Sequence, residues 1–100
     1  MPEIVILAGA EREILEAYVW LEDLQAGFGD RFALRVEETL SLLKTHPLSG
    51  SPFRQEIRRR LVRGFPYGIF YTIESKGIII QTVLDLRQSP DSILRRLGFP

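Results

Sequence analysis

Residues 57–86 constrain the fold more than any other part of the chain. They contain three short runs that are dense in β-branched and aromatic residues. Turn residues separate the runs, first at Gly64-Phe65-Pro66 and then at residues 74–77. Runs of this composition with such punctuation are typical of strands joined by tight turns. The stretch therefore predicts a three-stranded antiparallel meander.

The second and third runs differ in how apolar residues alternate. In the second run, Ile69, Tyr71 and Ile73 form one almost wholly apolar row, so we expect one well-covered face of the sheet. In the third run, residues 78–80 are three consecutive isoleucines, which give both faces an apolar residue. This pattern favours a strand that lies inside the sheet and is covered on both sides.

The first half of the chain predicts a strand and a helical hairpin. Residues 3–7 are a short apolar run that can pair with the later sheet. Over residues 10–25, apolar side chains recur at three- and four-residue steps, which predicts an amphipathic helix with Gly9 as a tolerable N-cap. Asp30 is expected to cap a second helix that runs to Lys44. The apolar positions of the first helix are Ile14, Ala17, Tyr18, Leu21 and Leu24.

Two proline-containing segments complete the pattern. We expect residues 46–52 to form a rigid connection that ends the second helix, because proline cannot continue a helical hydrogen-bond ladder. Residues 90–97 predict one or two helical turns, with Ser89 as N-cap and Pro90 at the first helical position. Gly98 is expected to end that helix.

The length and composition favour one α+β domain over residues 1–100. The predicted order is an N-terminal strand, an antiparallel helical hairpin, a three-stranded antiparallel meander and a short C-terminal helix. The chain has no cysteine, which excludes a disulfide framework and a thiolate site. No apolar run approaches the roughly 18 residues of a membrane span, and no basic segment precedes the first apolar run. We therefore expect a cytoplasmic protein without a membrane partner.

The charge is balanced in total and uneven along the chain. Residues 1–50 carry nine acidic and four basic side chains, whereas residues 51–100 carry nine basic and four acidic ones. This asymmetry favours an anionic partner for the second half. Acidic helices that pack beside a basic sheet edge would explain it equally well.

The sequence excludes several kinds of catalytic or cofactor site. The only histidine, His46, lies beside a proline, where it fits the end of the second helix better than a catalytic triad. A zinc site fails because too few ligands are available, and no glycine-rich phosphate-binding motif occurs. We therefore expect no cofactor. Tyr67 and Tyr71 share one face of their strand, so we expect them to be core residues and not reactive groups.

One cluster of side chains remains as a candidate functional site. Arginine binds phosphate or carboxylate groups through two parallel hydrogen bonds. The cluster could therefore be a nucleic-acid surface, an RNA-cleaving site or a dock for an acidic protein segment, whereas charge on a sheet edge also protects against aggregation. The five residues of this cluster are Arg58, Arg59, Arg60, Arg63 and Arg87.

Several phrases of the sequence resemble the RelE/ParE superfamily of bacterial toxins from type II toxin–antitoxin modules. They are H-P-L-S-G at residues 46–50, I-R-R-R-L-V-R-G-F-P-Y-G-I-F-Y at residues 57–71 and V-L-D-L-R-Q-S-P at residues 83–90. The order of strand, helical hairpin and meander resembles that superfamily too. The resemblance covers nearly the whole chain and implies the α+β fold described above.

The chain departs from the RelE-like pattern where that branch places its catalytic side chains. RelE-like members cleave messenger RNA on the ribosome, with basic and tyrosine side chains that move protons and stabilise charge. This chain has Gly68 and Gln88 where those members usually carry basic residues, and Asp85 in place of a common histidine. Its C-terminal segment has no tyrosine or histidine to complete the set. The departures favour the ParE-like branch, which needs no catalytic residues of its own.

The resemblance therefore implies a ParE-like toxin that inhibits DNA gyrase when it is not bound by its cognate antitoxin, in a module of the kind linked to plasmid stabilisation. The helical hairpin would offer the antitoxin a groove, and residues 92–97 are the candidate segment for contact with gyrase. The expected partner-binding residues are Arg58, Arg60, Arg63 and Arg87.

Two alternatives remain open at this point. A RelE-like endonuclease would act on messenger RNA at the ribosome, and its catalytic residues would be Arg59, Arg63 and Arg87. An inactive, binding-only remnant is the other alternative, because so many functional positions are substituted.

Overall fold

The chain forms a five-stranded mixed sheet with a helical hairpin on one face and a short helix on the other. The computed structural model describes residues 2–100. This architecture confirms the predicted α+β fold class. The elements are β1 (Glu3–Ile6), α1 (Ala8–Leu24), α2 (Phe28–Thr45), a 3₁₀ turn (Pro47–Ser49), β2 (Ser51–Arg54), β3 (Ile57–Leu61), β4 (Tyr67–Glu74), β5 (Gly77–Asp85) and α3 (Pro90–Arg96).

The strands lie in the order β1-β5-β4-β3-β2. Strands β2 to β5 pair antiparallel in sequence order, so the predicted meander is present. Strand β1 pairs with β5 in parallel, with Glu3 opposite Gly77 and Ile6 opposite Ile80. The expectation that residues 3–7 pair with the later sheet is thus confirmed. Strand β5 has a neighbour on each side, as its consecutive isoleucines predicted.

Strand β2 was not predicted from the sequence. Residues 46–52 were expected to form only a connection, but the chain enters a strand at Ser51, which pairs with Arg59 of β3. Pro52 lies inside this strand. Proline has no backbone N–H to donate to a neighbouring strand. This is tolerated at Pro52 because β2 lies at the edge of the sheet. Pro52 therefore marks an edge strand, whereas Pro47 is the proline that follows the end of α2.

Helix α1 begins earlier than predicted. Its N-cap residue is Leu7, whose side chain makes no capping hydrogen bond, and Gly9 lies within the first turn. Ala17 and Leu21 are buried as the periodicity predicted, but the Leu24 side chain is 59% exposed. The apolar stripe of α1 therefore ends at Leu21 in the core, and Leu24 faces solvent.

The start of α2 also differs from the prediction. Gly27, at φ +93°, is the N-cap residue, whereas Asp30 lies in the first turn and accepts a hydrogen bond from the Tyr18 hydroxyl. The capping is done from α1, because the Glu22 carboxylate accepts hydrogen bonds from the backbone amides of Gly27 and Gly29, both at 2.8 Å. A carboxylate at a helix N-terminus satisfies free amides and stabilises the helix dipole.

The short C-terminal helix follows its prediction. The Ser89 side chain accepts a hydrogen bond from the amide of Ser92, and Pro90 occupies the first turn. Gly98 adopts φ +90° directly after the helix, a conformation that glycine takes without steric cost. His46 is the C-cap residue of α2, which confirms its expected place at a helix end.

Two apolar clusters fill the space on the two faces of the sheet. The larger lies under α1 and α2 and includes both Tyr67 and Tyr71, as expected. The smaller lies under α3 and joins Phe70, Leu84 and Ile93. Strands β4 and β5 therefore contribute residues to both sides, and an apolar cluster covers part of each face of the sheet.

The Tyr71 hydroxyl fixes the connection between α2 and β2. It donates to the carbonyl oxygen of Pro47 at 2.7 Å and accepts from the amide of Gly50 at 2.9 Å. A Cβ atom at Gly50 would lie 2.4 Å from this hydroxyl oxygen. Only glycine therefore permits so close an approach of the backbone.

The Glu13 carboxylate joins α1, β5 and α3. Strand β1 ends opposite Ile80, so the outer edge of β5 beyond that point has no strand partner among residues 2–100. Glu13 fills this gap, because Oε1 accepts from the buried Thr82 hydroxyl at 2.6 Å and from the Val83 amide at 3.2 Å. The Arg96 guanidinium of α3 donates to Oε2 of the same carboxylate at 2.8 Å.

We predict that Glu13→Ala lowers the free energy of unfolding by about 2 to 3 kcal/mol, because a buried hydroxyl and an edge amide lose a charged acceptor. The change is measured by urea denaturation followed by circular dichroism. Glu16→Ala, an exposed acidic position on the same helix, is the matched control and should change the free energy by no more than about 0.5 kcal/mol. Equal effects of the two substitutions would contradict the role of Glu13.

Candidate partner-binding site

The arginines of β3 alternate between the two faces of the sheet. Arg58 and Arg60 pair across the sheet with Tyr71 and Ile69, so their side chains lie on the face that carries the helical hairpin. Both donate to backbone carbonyl oxygens of the turn before β2. Arg58 Nη1 reaches Gly50 at 2.8 Å, and Arg60 Nη1 reaches Ser49 at 3.1 Å. These two arginines therefore brace the turn with part of their hydrogen-bonding capacity.

Arg59 lies on the opposite face, beside α3. It pairs across the sheet with Phe70, and its guanidinium carbon lies 6.0 Å from the centre of the Phe53 ring. The Arg59 stem packs beside Gly68, where a Cβ atom would lie 3.2 Å from Cγ of Arg59. Arg59 lines a cavity of about 440 Å³ together with Gln88 and the start of α3. The Arg59 side chain therefore lies on the other face of the sheet from those of Arg58 and Arg60, although Arg59, Arg60 and Arg63 together line another cavity of about 540 Å³ at the end of β3.

Arg63 and Arg87 meet at one end of the sheet. Strands β3 and β5 run in the same direction on either side of β4, so the segments that follow them lie at the same end. Both arginines line a cavity of about 390 Å³ between this end and the turn of the helical hairpin. We call it the arginine cavity. Its lining also includes Trp20, Arg31, Arg35 and Phe65.

Asp85 neutralises Arg87 within the chain. The Arg87 guanidinium donates from Nε at 3.0 Å and from Nη2 at 2.7 Å to the two oxygens of Asp85. These hydrogen bonds hold the pKa of the Asp85 carboxyl below its ordinary value, although partial burial acts in the opposite direction. The guanidinium of Arg87 also lies over the Trp20 ring, 6.0 Å from its centre. Arg87 is thus held in place at the rim of the arginine cavity.

Tyr67 lies near enough to Arg87 to interact with it electrostatically, but it lines a cleft with carboxylates and not with arginines. The side chain is 8% exposed, and the cleft that it lines also contains Glu13, Glu16 and Asp85. Burial raises the pKa of the Tyr67 hydroxyl, the Asp85 carboxylate raises it further, and the Arg87 guanidinium partly offsets both. A tyrosine with a raised pKa beside carboxylates is a poor general base at neutral pH.

The cavities lined by Arg59 lack acid–base partners. Apart from arginines, their described linings contain serine, glutamine, glycine, proline and apolar residues, without a histidine, tyrosine or carboxylate. Such surfaces can bind a phosphate or carboxylate group but supply no evident base for removing a proton. Within residues 2–100, no three histidine, cysteine or acidic side chains are placed to hold a metal ion.

A further concave surface lies between the two long helices. This hairpin groove has a volume of about 810 Å³, and its lining is mostly apolar. Charged residues stand at its rim, including Glu11, Arg12 and Glu37. The apolar residues that line the groove are Ile6, Ala8, Ile14, Leu15, Ala33, Val36 and Leu40.

The residues of α1 and α2 that line the arginine cavity were not predicted from the sequence. Trp20 and Leu24 were not recognised as surface residues, although both are about half exposed or more. A helical wheel centred on Ala17 and Leu21 would have placed both beside the buried stripe. Arg31 carried no comparable signal, because its place beside Arg63 depends on how the hairpin docks on the sheet.

No helix among the described residues is both long and apolar enough to cross a membrane.

The Asp85–Arg87 pair predicts a measurable pH dependence. Because the pKa of Asp85 is depressed in the folded chain, the pair stabilises the fold above the ordinary value of 3.8 and is lost as the pH falls through the lowered value. Titration of the Asp85 carboxyl carbon by NMR should give a pKa below 3.8. Arg87→Gln should bring it back towards the ordinary value, whereas Arg63→Gln should leave it unchanged. An unshifted Asp85 in the unsubstituted chain would contradict the geometry.

Comparisons with known proteins agree with this architecture. The family model described as the ParE toxin of the type II toxin–antitoxin system, parDE, matches residues 4–90. The comparison with curated proteins gave no significant match. Among solved structures, a chain of the chromosomal ParDE toxin–antitoxin system from P. aeruginosa is similar in fold, with a TM-score of 0.77 and 14% sequence identity over 87% of this chain and 98% of that one. Because the family model spans most of the sequence, the chain belongs to the ParE toxin family of type II toxin–antitoxin systems.

Proposed function

We propose that this ParE-family chain inhibits DNA gyrase in the cytoplasm when its cognate antitoxin is not bound. In this proposal the toxin acts by binding and carries out no chemical step of its own. The observation that supports it best is that the cavities lined by Arg59 and Arg63 contain no histidine, tyrosine or carboxylate among the described residues, while the carboxylate beside Arg87 is its ion-pair partner.

Cleavage of RNA through its 2′-hydroxyl needs a group to remove a proton and another to stabilise the phosphate. Arg59 shares its cavities with no histidine, tyrosine or carboxylate among the described residues. Arg87 is paired with Asp85, which places negative charge beside the position where a phosphate would bind. The tyrosine nearest to these residues, Tyr67, is buried and has a raised pKa. These features favour a toxin that blocks a macromolecule over one that cleaves RNA.

The antitoxin is proposed to bind through two kinds of contact. The hairpin groove offers a long apolar surface with charged residues at its rim, which suits an amphipathic segment that orders on binding. Arg63 and Arg87 are exposed and supply polar anchors at the end of the sheet. Arg58 and Arg60 are half-buried, but each guanidinium carries five N–H donors, so donors remain for a partner.

The proposed contact with gyrase involves residues 92–97, which lie mainly in α3. The inner side of this segment is occupied, since Ile93 is buried against the sheet. Its outer side carries the exposed Arg95 and Arg96, of which Arg96 is paired with Glu13. The segment therefore presents basic side chains on a firmly docked short helix.

We predict that expression without the antitoxin stops growth and that the purified chain inhibits DNA supercoiling by gyrase. A reconstituted translation reaction with the same chain should leave the messenger RNA intact. Arg59→Ala should keep at least half of the toxicity, because Arg59 belongs to no catalytic set in this proposal. Co-expression of the antitoxin is the control that should restore growth.

Two outcomes would overturn the proposal. Site-specific cleavage of the message on ribosomes, abolished by Arg59→Ala, would identify an endonuclease. Normal growth with folded chain present at high level would identify a binding-only protein.

A further inference from the structure

The arginine cavity carries positive charge that the chain itself does not neutralise. Four arginines line it: Arg31, Arg35, Arg63 and Arg87. Carboxylates neutralise two of them, through the Arg35–Glu38 pair at 2.9 Å and the Arg87–Asp85 pair at 2.7 Å. Among the residues that the structure describes, neither Arg31 nor Arg63 forms an ion pair. The cavity therefore has two guanidinium groups available for an anionic partner.

The same cavity exposes large apolar side chains. Trp20 is 48% exposed and Leu24 is 59% exposed, and both lie beside Phe28 and Phe65 in the lining. Apolar residues gathered in a concave surface are typical of a binding site, because covering them removes apolar area from water. A ligand that fits both features needs carboxylates and an apolar side chain close together.

We propose that the arginine cavity binds an acidic segment of the antitoxin that carries one large apolar side chain. The apolar side chain packs between Trp20, Leu24 and Phe65, and neighbouring carboxylates bind Arg31 and Arg63. This inference rests on the proposed function, because it assigns a second contact to the same antitoxin that occupies the hairpin groove.

Two features favour a protein segment over a nucleotide or a nucleic acid. The guanidinium of Arg87 already lies over the Trp20 ring, so that face of the ring is not open for stacking on a base. The chain also has a net charge of zero, whereas proteins that bind nucleic acid usually carry a basic excess. The exposed Leu24 and Pro66 side chains also supply aliphatic surface, which suits a protein side chain.

The exposed apolar residues favour the antitoxin over gyrase as the source of this segment. Exposed tryptophan and leucine side chains promote non-specific association in a free protein. An antitoxin that stays bound covers them continuously, whereas gyrase would meet only the toxin that has already been released. A permanent partner therefore fits the chemistry of the cavity better than a transient target.

The test uses Trp20 as an internal reporter, because it is the only tryptophan of the chain. The full-length toxin is titrated with its antitoxin, in which any tryptophan has been replaced by phenylalanine, and Trp20 emission is recorded together with the Kd. We expect a blue shift of the emission on binding. Arg31→Glu and Arg63→Glu should each weaken binding by about ten-fold or more, since each turns an attraction into a repulsion. Arg54→Glu, on β2 and outside the arginine cavity, is the matched control and should stay within about two-fold.

The outcomes separate this inference from the proposed function. If the antitoxin binds and neutralises the toxin, but Trp20 emission and the Kd of both cavity variants stay unchanged, the inference is wrong and the proposed function stands. If the antitoxin does not bind the toxin at all, both are wrong. A Trp20 shift with gyrase, ATP or inorganic phosphate and none with the antitoxin would assign the cavity to a different ligand and overturn the inference. Circular dichroism and thermal melting confirm that each variant is folded before it is titrated.

Discussion

The structure depends on one carboxylate that lies where the sheet loses its outer strand. Strand β1 is only four residues long, so β5 continues beyond it with an unpartnered edge. Glu13 reaches this edge from α1 and accepts hydrogen bonds from Thr82 and Val83, and the same carboxylate holds Arg96 of α3. The Arg96 guanidinium in turn lies against Gly9, where a Cβ atom would be 2.7 Å from Nη2. One acidic side chain thus joins elements that lie on opposite faces of the sheet.

The sequence predicted the elements better than it predicted their boundaries. The meander and the pairing of residues 3–7 with the later sheet follow from apolar patterns that tertiary packing reinforces, and all of these strands are present. The caps were wrong at both long helices. Glu22 of α1 accepts hydrogen bonds from the amides at the start of α2. A capping residue that lies in the preceding helix does not belong to any local capping motif, so the sequence pattern did not predict it. Strand β2 was missed because Pro52 is tolerated only at an edge, and edge position depends on the whole sheet.

The arginine cluster illustrates what a one-dimensional pattern leaves out. Residues 58–60 are adjacent in sequence, but successive side chains of a strand point to opposite faces. Arg59 therefore lies beside α3, while Arg58 and Arg60 brace a turn on the other side. The meeting of Arg63 and Arg87 instead follows from the direction of β3 and β5, and can be deduced once three antiparallel strands are assumed. The position of Arg31 beside Arg63 cannot be deduced in this way, because it depends on the angle at which the hairpin packs on the sheet.

Helix α1 carries more apolar residues than one buried stripe needs. The additional apolar residues account for the hairpin groove and for the apolar part of the arginine cavity. With 3.6 residues per turn, Ala17 and Leu21 point into the core, while Ile14 falls on one flank of the buried stripe and Leu24 on the other. Ile14 lines the hairpin groove, and Leu24 lines the arginine cavity. The periodicity assigned Leu24 to the core because a three- or four-residue step cannot distinguish the centre of a stripe from its margin. A helix with apolar margins on both sides of its buried face is suited to contact partners on two sides at once, which a helix with a purely polar outer surface is not.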